Sequence, residues 1–387
     1  MSIDEIIHLL GEEELPQGAM VPPIMQTSNF SISSIEELRS FFTNEWENHL
    51  YTRGNNPTVK ILRQKLSALE RTDDAICFSS GIAAVSAAIL SEVKSGDHVI
   101  CVKNPYSWTR SLLESYMPKY GVETTFVDGK ELESIQAAKR DNTRLLMLES
   151  PNSMVFELQD LKACASWAKN NEIVTIIDNS YCSPLFQNPS TLGIDMIVHS
   201  GSKYLNGHSD VVFGVLCSAQ ERIARIAADE YMTLGAIMSP FEAFLVIRGL
   251  RTLSIRMNRI NKSTMEIFDY LKSHPVIERI FYPFDPQNPQ YDLARSQMSG
   301  SPGLLSIRLK TSERSEIEEF VHGLNVFRMG VSWGGHESLA LPILAAHDIP
   351  GRQPPNLPIN HIRLYVGLED PDTLISDLDQ NLRSISS

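Results

Sequence analysis

Positive charge is scarce in this chain: 34 lysines and arginines stand against 47 aspartates and glutamates, a formal net charge of -13. A surface with that balance is ill suited to nucleic acid, whose phosphate backbone is bound by basic patches. An anionic ligand must therefore be held locally, by amides and a few cations. Cysteine is sparse too. The five cysteines, Cys77, Cys101, Cys164, Cys182 and Cys217, form no CxxC and have no histidine pair at zinc spacing, which gives no metal site. Cys77 and Cys217 sit in apolar runs and read as reduced core thiols. No run approaches the ~18 to 20 apolar residues of a membrane span. The first ten residues carry Asp4 and Glu5 where a secretory leader would carry basic residues. The expected location is the cytoplasm, with neither a membrane nor a nucleic-acid partner. Two ligand-binding signatures are also missing: the GxGxxG of dinucleotide-binding dehydrogenases and the GxxxxGK[ST] of P-loop NTPases.

What is present is a composition of ordinary globular type, 42% hydrophobic and 21% charged over 387 residues, long enough for two or three domains. Residues 1–55 read as an irregular arm. Pro16, Pro22, Pro23 and the stretch Tyr51-Thr52-Arg53-Gly54-Asn55-Asn56-Pro57 are turn formers, and only Ser34 to Trp46 has helical character. Such an arm must pack on its own domain or on a neighbouring subunit. Residues 56–240 alternate short apolar runs with amphipathic stretches, the pattern of βαβ units and a largely parallel sheet. Strands are expected at Ala75–Phe78, His98–Val102, Leu145–Leu148, Val174–Ile177, Met196–His199 and Phe213–Cys217. Residues 241–387 read as a smaller α+β domain. One long helix runs into it from Pro240 to about His274, and strands follow at Leu304–Leu309 and Ile362–Val366.

Three features of the large domain carry chemistry. Ser79-Ser80-Gly81-Ile82 lies between a strand and a helix, where free amides and the helix dipole make an anion site; it also fits a plain N-cap. Asp178 ends the apolar run Ile173 to Ile177, at the sheet edge where open α/β sheets place their ligands. It could instead cap the next segment. Lys203 stands in the turn His199-Ser200-Gly201-Ser202-Lys203, straight after a strand. A lysine there is oddly placed for a solubilising charge, and in a dry cleft its amine becomes a nucleophile. Phosphate cradle, carboxylate and amine are together the set that binds pyridoxal 5'-phosphate.

The chain resembles the cystathionine γ-synthase family of transsulfuration enzymes, the Cys/Met metabolism pyridoxal phosphate family, from about Gly18 to the C-terminus. The resemblance is carried by Tyr51 to Thr58, Ser79 to Ile82, Ser202-Lys203-Tyr204 with Gly207-His208-Ser209-Asp210, Arg248 to Leu253, and Ser332 to Leu339. It implies a type I aminotransferase-like fold and a homotetramer of close dimers with shared active sites. It implies that Lys203 holds the cofactor as a Schiff base and shuttles protons, with Asp178 on the pyridine nitrogen and Tyr106 stacked on the ring. Ser80, Gly81 and Ile82, with Ser200 and Ser202, would hold the phosphate, and Tyr51 and Arg53 would reach the partner subunit's cofactor. Arg363 would grip the α-carboxylate of an amino-acid substrate.

The same scaffold supports β-elimination, γ-elimination and γ-replacement, so the fold does not choose among them. Ser153 stands where many members have asparagine, and with Ser332 and Trp333 in Ser-Trp-Gly-Gly it is similar to a cystathionine β-lyase branch. Val331, where cystathionine-handling members often have glutamate, is similar to methionine γ-lyase. The usual Tyr-Gly-Gly-Thr is Tyr106-Ser107-Trp108-Thr109 here. The sequence reading puts first a carbon–sulfur lyase acting by β-elimination on cystathionine or cysteine-like substrates. γ-Elimination or γ-replacement on an activated homoserine is the alternative, and a catalytically inactive relative is the non-enzyme reading.

Overall fold

The computed structural model describes residues 1–43, 45–351 and 354–385. It divides into two compact units. The larger comprises Met1–Ser150, Leu158–Asn206 and Asp210–Leu253; the smaller comprises Pro151–Glu157, Gly207–Ser209 and Ser254–Ser387.

The larger unit is built on seven strands: β1 Asp74–Phe78, β2 His98–Val102, β3 Glu123–Val127, β4 Thr143–Glu149, β5 Val174–Asp178, β6 Met196–Ser200 and β7 Gly214–Ser218. Their order is β1-β7-β6-β5-β4-β2-β3. Only β7 runs against the rest, since it pairs antiparallel with both β1 and β6 while the other pairs are parallel. A sheet buried on both faces needs near-continuous apolar strands. Ile76, Val99, Leu145, Ile176, Ile177 and Val198 meet that need and are fully buried. All five cysteines are buried and unpaired, as core thiols should be; burial pushes the Cys77 thiol up to about 12.

Sequence and structure differ at several places, three of them in the larger unit or at its end. β3 reads Glu-Thr-Thr-Phe-Val and is half-exposed at the sheet edge, so it lacks the apolar run by which its neighbours are recognised. Helix α1, Ile3–His8, begins the arm. Its signal is the capping box Ser2…Glu5, in which each side chain bonds the other's backbone amide. The single long helix expected from Pro240 is two, Pro240–Leu250 and Leu253–Leu271. The break follows Gly249, where a side chain would sit 2.3 Å from the Asn206 carbonyl, and Thr252 folds back to that glycine's carbonyl.

Residues of the arm belong to the larger unit. The helix Ile35–Thr43, α2, buries none of its residues, whereas α1 is pinned to α3, Pro57–Glu70. Lys65 of α3 is fully buried. Its amine donates to the carbonyls of Ile6 and Ile7 at 3.1 and 2.9 Å and pairs with Glu12 at 3.0 Å. Arg251 holds the other oxygen of Glu12 at 2.6 Å.

The smaller unit is a mainly antiparallel sheet of five strands, β8 Ile277–Phe281, β9 Leu304–Leu309, β10 Arg328–Met329, β11 Leu339–Pro342 and β12 His361–Tyr365, in the order β10-β11-β12-β9-β8. Leu305, Ile307, Ile362 and Leu364 pack with Leu374 and Leu378 of the C-terminal helix Pro371–Leu382 in its core.

Lys65→Met keeps the volume of that side chain but removes three buried partners. It should destabilise the protein by about 3 kcal/mol, the low end for breaking a buried pair because Arg251 still holds Glu12. A lower urea midpoint together with new protease cleavage near residue 10 is the expected result; an unchanged midpoint would show that the pin is inert.

Candidate active site

The chemistry-bearing residues of the larger unit gather at the carboxyl ends of β4, β5 and β6. Helix α4, Gly81–Leu90, starts straight after β1, capped by the Ser80 hydroxyl, which accepts the Ala83 amide at 3.2 Å. Gly81 is fixed by space: a β-carbon there would lie 2.8 Å from Cα and Cβ of Ser200. Gly214 is equally constrained, since its β-carbon would meet the Ser80 carbonyl at 2.3 Å. The helix start at Ser80 and Gly81, the end of β6 at Ser200 and the start of β7 at Gly214 therefore meet closely, backbone against backbone. The Ser202 hydroxyl exchanges hydrogen bonds with Phe213, accepting from its amide at 2.9 Å and donating to its carbonyl at 3.2 Å.

Lys203 is half-buried in the turn that follows β6, its amide bonded to the Ser200 carbonyl at 3.2 Å. Asp178 ends β5 and is buried. Burial pushes its carboxyl up from the usual aspartate range, while Ser180, His199 and Lys203 pull it back. Ser180 donates twice to Asp178 Oδ1, from its amide at 3.0 Å and its hydroxyl at 2.5 Å. The same hydroxyl accepts the Ser200 amide at 2.6 Å. The acid is thus wired to the strand that leads into the Lys203 turn.

Tyr106 immediately precedes the short helix α5, Ser107–Ser111. Its amide donates to Glu149 Oε2 at 2.6 Å, and Glu149 ends β4 level with Asp178 on β5. Burial, then the charges of Asp178 and Glu149, raise the Tyr106 phenol above its ordinary value, so it stays protonated at neutral pH. Sequence reasoning missed Ser180 and Glu149. The first has no pattern of its own. The second is visible as an acid at a strand end, the signal that singled out Asp178. Tyr51 and Arg53 lie together at the exposed surface, the guanidinium 5.7 Å from the tyrosine ring centre.

In the smaller unit, Arg363 on β12 is buried. Its Nη2 donates to the carbonyls of Val331 at 2.6 Å and Ser332 at 3.3 Å. Its Nη1 donates to the Ser153 carbonyl at 3.2 Å and approaches Met154 Sδ at 3.6 Å. The guanidinium is therefore gathered with Val331, Ser332 and Ser153, beside the buried Trp333. Asn152 belongs to the loop itself: its side-chain oxygen accepts the amides of Met154, Val155 and Phe156. Ser153 is left as the variable position. Val331 is 80% exposed. Among the described residues, no group of acids, histidines and cysteines could hold a metal ion.

An amine, a buried carboxylate and a cradle that a single β-carbon would fill fit pyridoxal phosphate. With the mostly parallel sheet and second α+β unit, they define the class as a pyridoxal-phosphate-dependent enzyme of the type I, aminotransferase-like fold. The chain belongs to the Cys/Met metabolism PLP-dependent enzyme family, whose model matches residues 5–383. It is 36% identical to an L-methionine gamma-lyase of Fusobacterium nucleatum over 375 residues, 95% of this chain and 94% of that protein. It is 34% identical to the cystathionine gamma-lyase of Dictyostelium discoideum over 381 residues, 97% of this chain and 96% of that one. The crystal structure of metB from Corynebacterium glutamicum superposes with a TM-score of 0.93 at 29% identity, covering 100% of this chain and 99% of the other. The expectations of family, fold and cofactor hold. No described helix is long and apolar enough to cross a membrane.

A carboxyl raised by folding costs stability wherever the unfolded chain would ionise it freely, and that cost disappears once both states are protonated. Asp178→Asn should therefore raise the Tm of the cofactor-free protein near neutral pH. The gain should vanish on acidification to about pH 4, the ordinary carboxylate range. Thermal melts across pH check this; a lower Tm at neutral pH would contradict it.

Proposed function

We propose that this enzyme is a carbon–sulfur lyase that cleaves an apolar thioether amino acid by γ-elimination, releasing a thiol, ammonia and a 2-oxo acid. The choice of γ over β rests on the relatives, which are named methionine or cystathionine γ-lyases over nearly their whole length. This supports the alternative in the sequence reading over the β-elimination it put first. Val331 agrees with it: an exposed apolar residue beside Arg363 suits a substrate whose far end carries no charge.

Bound pyridoxal phosphate supplies an electron sink that makes protons on the substrate's carbons labile. The residues of this chain do the rest. The amides at Gly81 and Ile82, with the hydroxyls of Ser80, Ser200 and Ser202, hold the phosphate. Asp178, whose charged form is favoured by the bonds from Ser180, would face the ring nitrogen. The Lys203 amine anchors the cofactor and carries protons among the substrate carbons as general base and acid. Tyr106 would stack on the ring, and its protonated phenol would supply a proton to the departing sulfur. Arg363, whose terminal nitrogens are held by the carbonyls of Ser153, Val331 and Ser332, would exchange some of these bonds for the substrate α-carboxylate. Ser153, Ser332 and Trp333 shape the surroundings of that carboxylate. Tyr51 and Arg53, displayed at the surface, serve the cofactor of a neighbouring copy in a homotetramer, and the enzyme works in the cytoplasm.

The products decide the reaction. Purified holoenzyme given L-methionine should release 2-oxobutyrate and methanethiol in equal amounts. Pyruvate from cystathionine, with no 2-oxobutyrate from either substrate, would instead establish β-elimination.

Val331→Glu should raise kcat/KM for substrates with a distal ammonium several-fold relative to methionine, because the new charge attracts one group and gives the other nothing. Unchanged ratios across a substrate panel would remove Val331 from specificity.

A further inference from the structure

Two acids, Glu149 and Asp178, end adjacent parallel strands in the same register, and both are buried, at 6% and 7% exposure. Placing two carboxylates side by side in a desolvated place is costly, so each should have a separate use. Asp178 has one in the reading above. Glu149 is tied instead to the residue that opens the tyrosine loop: its Oε2 accepts the Tyr106 amide at 2.6 Å, the length of a strong charge-assisted bond. Pro105 precedes Tyr106 and offers no N–H of its own. No described residue hydrogen-bonds the Tyr106 hydroxyl, and 43% of the residue is exposed. The place of the ring is therefore set from its backbone.

We propose that Glu149 is a positioning residue, whose carboxylate clamps the Tyr106 backbone and so fixes the ring where it stacks on the cofactor. The inference rests on the stacking role given to Tyr106 above. It separates reach from charge: Asp in place of Glu keeps the charge but withdraws it by one methylene, whereas Gln keeps the reach and an acceptor oxygen without the charge.

The test uses the full-length apoenzyme, with pyridoxal phosphate affinity read from quenching of tryptophan fluorescence and the bound state from the visible circular dichroism of the cofactor. Glu149→Asp should weaken the affinity about tenfold, as expected for losing one charge-assisted hydrogen bond, and should reduce the dichroism. Glu149→Gln should stay within about twofold of wild type, because the amide retains an acceptor. Tyr106→Ala should weaken binding by itself, and Glu149→Asp should add nothing to it in the double variant. The opposite order, with Gln damaging and Asp harmless, would assign Glu149 an electrostatic role and overturn the clamp. So would effects that simply multiply in the double variant. If Tyr106→Ala alone leaves affinity and dichroism unchanged, the stacking role and the clamp fall together. If it weakens binding while Glu149→Asp does not, the clamp alone fails.

Discussion

A carboxyl buried at the end of an apolar strand, pushed up by burial and pulled back by its hydrogen-bond donors, is the constraint on which this molecule depends. Asp178 ends a strand that is apolar up to that point, at a place chosen by the sheet rather than by solvent. What opposes that rise is local: two bonds from Ser180, whose hydroxyl also accepts the amide of Ser200 on the next strand. Each donor in such a series polarises the next, so the set is stronger than its members. It also ties the acid mechanically to β6, which delivers Lys203. Acid and amine thus share one hydrogen-bonded frame.

The regular part of this frame was legible in the sequence because burial on both faces of a parallel sheet demands apolar runs of strand length. Those runs located β1, β2, β4, β5, β6 and β7, and the polar residues that interrupt them gave Asp178 and the Lys203 turn. Where burial is incomplete the pattern weakens. The edge strand Glu123–Val127 has one exposed and three half-exposed positions and resembles a loop. The split of the long helix depends on Gly249 lying against Asn206, a contact made by folding and absent from any local pattern. Ser180 was hidden for a related reason, since its importance lies in the neighbouring strand whose amide its hydroxyl reaches; Glu149 carried the same strand-end signal as Asp178, but its bond to the Tyr106 amide is made only by folding.

Affiliation and reaction are set by different parts of the molecule. The turn at Gly81 leaves little freedom: one β-carbon there would collide with Ser200. The positions read as bearing on the reaction, Ser153, Val331 and the Ser107-Trp108 pair at the start of α5, display exposed or half-buried side chains.

Asn152 has a further consequence of this kind. By drawing three successive amides onto its own oxygen and bonding Glu157 with its nitrogen, it folds the 152–157 hairpin from within. The next residue is thereby relieved of any part in shaping the chain. An evolving lineage could try one side chain after another at position 153, altering the neighbourhood of Arg363 each time, without having to reinvent the bend that presents it.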